Sequence, residues 1–84
     1  MRYRVRKLKP HLEKYLVKRG LVKKWDKAIF SLEDNLSYPS LNFEKIILKK
    51  TVFYSFRLDS KYRGVCVLDR DEIEIVAFTN HYEK

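Results

Sequence analysis

Apolar residues along this chain recur at intervals of three and four up to about position 36, and at intervals of two from position 52 onward. Ahead of the first pattern, residues 2–8 alternate loosely, with Tyr3 and Val5 set against Arg2, Arg4 and Arg6. That predicts a short strand with one wet face. Pro10 suits the first turn of a helix, because its missing N–H would have no intrahelical partner there. Leu12, Tyr15 and Leu16 continue at helical spacing, and Gly20 is the expected stop. A second helix over residues 21–36 is predicted by the stripe of Leu21, Val22, Trp25, Ala28, Ile29, Leu32 and Leu36, with Lys23, Lys24, Lys27 and Asp34 on its other face. Joined at one glycine, the two should form a helical hairpin with a shared apolar face. Trp25 lies in the middle of that stripe and is expected in the core, not stacked on a base.

Residues 35–42 (NLSYPSLN) read as a loop, and residues 43–50 (FEKIILKK) as the lead into a sheet. From Val52 the alternation is clear: Val52, Tyr54, Phe56 and Leu58 on the face toward the helices, Phe53, Ser55 and Arg57 on an open face. Asp59, Ser60 and Lys61 turn the chain, residues 62–68 form the next strand, residues 69–71 turn it again, and residues 72–80 form the last. Such short polar connections imply antiparallel neighbours. Cys66 falls on the helix side with Tyr62, Gly64 and Leu68, as an inert packing residue. The expectation is an α+β domain of order β-α-α-β-β-β, with the helical hairpin packed on one face of a twisted antiparallel sheet.

Length and charge narrow this further. Eighty-four residues make a single domain over 1–84, burying only roughly 60–65% of its unfolded surface. Nineteen Lys and Arg against 11 Asp and Glu give a net charge of +8, while 45% of the residues are hydrophobic. A folded basic domain of this kind calls for a polyanionic partner. With one cysteine and two histidines the chain cannot form an internal disulfide or a four-ligand zinc site, so neither metal nor cofactor is expected. No apolar run of membrane-spanning length occurs, and the basic start has no apolar segment behind it, so a cytoplasmic location is expected.

The residues left over are two strand-borne arginines, Arg57 and Arg63, and a His-Tyr pair, His81 and Tyr82, near the end. Such groups suit holding and cleaving an RNA phosphodiester. The motifs YPSLNFEKI, SFRLDSKYR and NHYE, in this order, resemble those of the RelE/ParE superfamily of toxins from toxin-antitoxin pairs. Within it they are most similar to the YoeB-like and RelE-like mRNA interferases. The resemblance implies a RelE-like fold, a ribonuclease acting on mRNA at the ribosome, and a cognate antitoxin, the chain being monomeric alone and hetero-oligomeric with that partner. It also implies a site made of Glu44, Arg57, Arg63, His81 and Tyr82.

Cleaving RNA internally needs a base for the 2′-OH proton, cations for the pentavalent phosphate and an acid for the leaving 5′-oxygen. Glu44 is the candidate base, Arg57 and Arg63 the clamps, His81 the acid, and Tyr82 a stacking residue. Lys45, Lys49, Lys50 and Lys61 are candidate RNA contacts. In the RelE branch, lysines before the second strand share the base work, so Lys49 or Lys50 is an alternative to Glu44. Each has a plainer reading as a solvated surface group, as does His11. Two further function classes stay open: a ParE-like gyrase inhibitor without nuclease chemistry, and a catalytically silent homologue that binds antitoxin or RNA.

Overall fold

The computed structural model describes residues 2–80. Its elements are β1 (Arg4–Val5), α1 (Pro10–Lys18), α2 (Val22–Asp34), a 3₁₀ turn at Pro39–Leu41, β2 (Glu44–Leu48), β3 (Thr51–Arg57), β4 (Tyr62–Asp69) and β5 (Glu72–Asn80). The strands form one sheet in the order β1-β5-β4-β3-β2, with both helices on one face. The α+β class and the helical hairpin agree with the sequence pattern. The sheet differs from it in two ways.

First, residues 43–50 do not merely lead into the sheet: β2 pairs antiparallel with β3, from Glu44 opposite Ser55 to Leu48 opposite Thr51. The turn between them is Lys49-Lys50, both at positive φ (47° and 69°). Two-residue hairpins need that mirror-image geometry, and Asn-Gly normally announces it. Two lysines carry no such signal, so the strand is hidden. Second, the sheet is mixed, because β1 runs parallel to β5, with Val5 beside Ile73. The outward amide of Val5 donates to Glu33 Oε2 on α2 at 2.8 Å, which ties this short edge strand to the helical layer.

The core is the layer between helices and sheet. Leu12, Leu16, Leu21, Trp25, Ala28 and Leu32 meet Phe56, Cys66, Ile73, Ile75 and Phe78, with Leu41 closing one end. Trp25 is its hub, with ring centroids 5.5 Å from Phe78 and 6.1 Å from Phe56. Burial pushes the Cys66 thiol up to about 12, which makes it unreactive, as its packing position implied. The helices do not reach the tip of the β2-β3 hairpin, so Val52, expected beneath them, is exposed together with its partner Ile47. Val22, at the first position of α2, is likewise exposed.

Two local features set the faces of the central strands. Gly64 lies opposite Phe56, and a Cβ there would sit 2.2 Å from the ring, so the close approach requires glycine. In β5 the register slips beside Val65 and Cys66, which face Ala77 and Ile75 and skip Val76. This bulge lets Ile73, Ile75 and Phe78 all point into the core despite their uneven spacing. Among the described residues no helix is long and apolar enough to cross a membrane.

Candidate nucleic-acid interface

Phe56 is fully buried against the helices, so its neighbours Ser55 and Arg57 project to the other face of the sheet. Cross-strand pairing extends that face. Glu44 of β2 is the partner of Ser55, Arg63 of β4 is the partner of Arg57, and Thr79 of β5 is the partner of Arg63. Residues directly opposite one another share a face. Glu44, Arg57 and Arg63, far apart in sequence, are thereby brought together.

Arg63 is the best-held member, with 16% of its side chain exposed. Its Nη2 donates to Ser55 Oγ at 2.8 Å and to the Asn42 carbonyl oxygen at 3.0 Å. Asn42 adopts a left-handed conformation (φ 44°), tolerable for asparagine, and that bend brings its carbonyl to the arginine. Glu44 Oε1 stands 4.0 Å from the same Nη2. A guanidinium has five N–H groups in a planar fork. Nε and Nη1 make no hydrogen bond among the described residues, so the fork is oriented by one nitrogen and open at the others. Arg57, at the end of β3, is exposed and makes no side-chain hydrogen bond or ion pair among the described residues.

The remaining expected site residues separate. Lys61 lies in the β3-β4 turn beside the arginine pair, its amide donating to Asp59 Oδ1 at 2.8 Å. Lys45 pairs with Tyr54 and so points away from the Glu44 face. Lys49 and Lys50 form the far hairpin turn. About 17 Å of strand lies between Glu44 and Lys49. Glu44, and neither lysine, therefore stands beside the arginine pair. His81 and Tyr82 lie outside the described residues. Ser55 and Asn42, which hold Arg63, were not among the candidates. Ser55 was legible as an open-face residue, but its contact depends on the β3-β4 register.

The same face has a second, different end. Arg6 Nε donates to Glu72 at 2.8 Å, Nη1 to Glu74 at 2.9 Å and Nη2 to Asp69 at 2.7 Å. Those bonds, to Glu72 first and Asp69 next, raise the Arg6 pKa above its ordinary value. Arg4 also approaches Glu72, at 3.6 Å. Of the residues on this face, it is those of the Arg57-Arg63 end that have unspent positive charge.

Neither family models nor curated proteins yield a match to the sequence. Solved structures do. A copper-bound mutant toxin from Helicobacter pylori superposes with a TM-score of 0.72 over 99% of this chain and 98% of that one, at 16% identity, a likeness of fold. The YoeB dimer from Staphylococcus aureus gives 0.71 over 98% of this chain and 100% of that one, at 25% identity. The YoeB-YefM complex from the same organism gives 0.69 at the same identity and coverage. The architecture is thus that of a small toxin domain. These likenesses place the chain in the RelE/YoeB-like toxin superfamily.

Proposed function

We propose that the chain is the toxin of a type II toxin-antitoxin pair and an endoribonuclease that cuts mRNA on the ribosome. The observation that carries this is the Arg57-Arg63 pair. Like charges directly opposite on one sheet face repel each other, and here they stand with a single carboxylate, Glu44, at 4.0 Å from Arg63. Such an arrangement suits a phosphate backbone. The planar fork of arginine can bind two phosphate oxygens at once and stays charged at every physiological pH.

In the reaction, Glu44 takes the proton from a ribose 2′-OH, and the freed oxygen attacks the adjacent phosphorus. Arg63 and Arg57 neutralise the pentavalent phosphorane. As the P–O5′ bond breaks, His81 gives its proton to the departing oxygen. The products are a 2′,3′-cyclic phosphate and a 5′-hydroxyl, so every proton is accounted for with no metal in the step as written. Tyr82 stacks on a base beside the scissile bond. Lys61, at the same end of the sheet, contributes charge to RNA binding. The S. aureus YoeB likeness, known in complex with YefM, supports an antitoxin as the protein partner of this chain.

Purified protein added to ribosomes programmed with a defined mRNA tests the reading. The expected result is fragments ending within codons and bearing cyclic phosphates, with the rate falling roughly 10²- to 10⁴-fold in His81→Ala. Intact mRNA at excess protein, with translation unaffected, would overturn it in favour of a silent homologue. Intact mRNA with inhibited gyrase would point to the ParE-like activity.

A further inference from the structure

The end of β3 is paired with β4 on one side but has no strand on the other, because β2 begins at Glu44 opposite Ser55. The 3₁₀ turn and α2 flank that gap and leave a cleft of about 410 Å³. This lies within the range of small-molecule sites. Its polar lining residues are Lys27, Arg57, Ser31, Ser40 and Ser60, and its apolar ones Ala28, Leu41 and Leu58. Lys24 and Asp59 complete it.

The charges in the cleft are unequal in availability. Lys24 Nζ is bound to Asp59 Oδ2 at 2.6 Å, while Asp59 Oδ1 accepts the amides of Tyr62 at 2.7 Å and Lys61 at 2.8 Å. That carboxylate is therefore fully engaged and holds one lysine in place. Lys27 and Arg57 have no such partner among the described residues, so three cations face one carboxylate. We propose that this cleft is a nucleotide-binding pocket, taking the phosphate on Lys27 and Arg57 and the base against Leu41, Leu58 and Ala28. Ser31, Ser40 and Ser60 line the same cleft and are the residues to meet the ribose. A free phosphate would leave the apolar wall uncovered, and an apolar ligand would leave both cations unanswered. The phosphorylated nucleoside can come from solution or be one unit of an RNA strand.

Binding here does not require cleavage, so it can be tested apart from the proposed reaction. Titration of the full chain with AMP, followed by amide NMR, should shift Ser40, Leu58 and Ser60. Lys27→Glu should weaken AMP roughly tenfold or more, since it removes a charge-assisted contact, while its melting temperature stays near that of the parent. Adenosine and inorganic phosphate should each bind at least about tenfold more weakly than AMP. An RNA tetranucleotide binding more tightly than AMP, with added shifts at Ser55 and Arg63, assigns the pocket to a strand. AMP binding as well as the tetranucleotide assigns it to a free nucleotide. The proposal falls if AMP perturbs only the Glu44-Arg63 face, if Lys27→Glu binds AMP unchanged, or if inorganic phosphate or an acidic peptide binds as well as AMP. Binding without mRNA cleavage would sink the ribonuclease reading and leave the pocket standing; cleavage without binding would do the reverse.

Discussion

Arg6 and Arg63 occupy one face of the same sheet and have opposite fates. Arg6 meets Asp69, Glu72 and Glu74, one with each guanidinium nitrogen. It links residues more than sixty positions away to the start of the chain, so its charge is spent on the fold. Arg63 spends one nitrogen on Ser55 and Asn42 and faces a second arginine across the strands. The residue type is the same; the number of carboxylates that the register brings near decides whether an arginine closes the fold or waits for an anion. The neighbours of Arg6 come from β5 and the β4-β5 corner, those of Arg63 from β2, β3 and the bend at Asn42 that precedes β2.

Exchanging the two roles by mutation breaks this contrast most sharply. Arg63→Ala should slow mRNA cleavage roughly 10²- to 10³-fold, since it removes charge needed at the phosphorane. If its cleavage rate in a single-turnover assay matched the parent, Arg63 would be no more than a strut for Asn42. A next-largest effect is expected beneath the pair. Gly64→Ala drives a methyl into Phe56 and should cost about 1–3 kcal/mol in urea unfolding. A Phe56→Leu background should shrink that penalty; an equal penalty in both would mean that the strand, not the ring, resists.

Arg6→Ala should lower the melting temperature and leave cleavage unchanged, the reverse of Arg63→Ala. Lost cleavage in a folded Arg6→Ala protein would dissolve the distinction between the two ends. The smallest expected effect concerns acid. Burial opposes ionisation of Asp59, but Lys24 and the amides of Tyr62 and Lys61 outweigh it and hold its carboxyl below the usual range. A depressed folded pKa means stability present above the unfolded value, near 3.9, and lost as pH falls through the folded one. Parent and Asp59→Asn should therefore differ most near neutrality and converge below about pH 3.9 in denaturant titrations.

Helix positions, the core stripe with Trp25, the alternation of β3 and β4 and the burial of Cys66 were all legible, because each depends on neighbours within a few residues. So was the open-face position of Arg57, one step from buried Phe56. The β2 strand was not, since its turn is built by two lysines in a conformation they seldom adopt. Nor was the uneven face of β5, where one bulge reverses the alternation at Val76. Lys49 and Lys50 were candidates by their place in the order of motifs, and they form the far turn of a hairpin the pattern did not reveal.

By itself, then, the sequence determined which residues are apolar at which period, and hence two helices, the alternating strands and a strongly basic surface. It also carried the motifs of a toxin superfamily. Tertiary structure alone decided which cations remain available. Cross-strand register places Arg57 against Arg63 and Glu44 against Ser55, while parallel pairing of β1 with β5 brings Arg6 to its three carboxylates. A charge is neutralised by whatever lies within a few ångströms, and in a sheet those neighbours are chosen by strand pairing, not by adjacency along the chain.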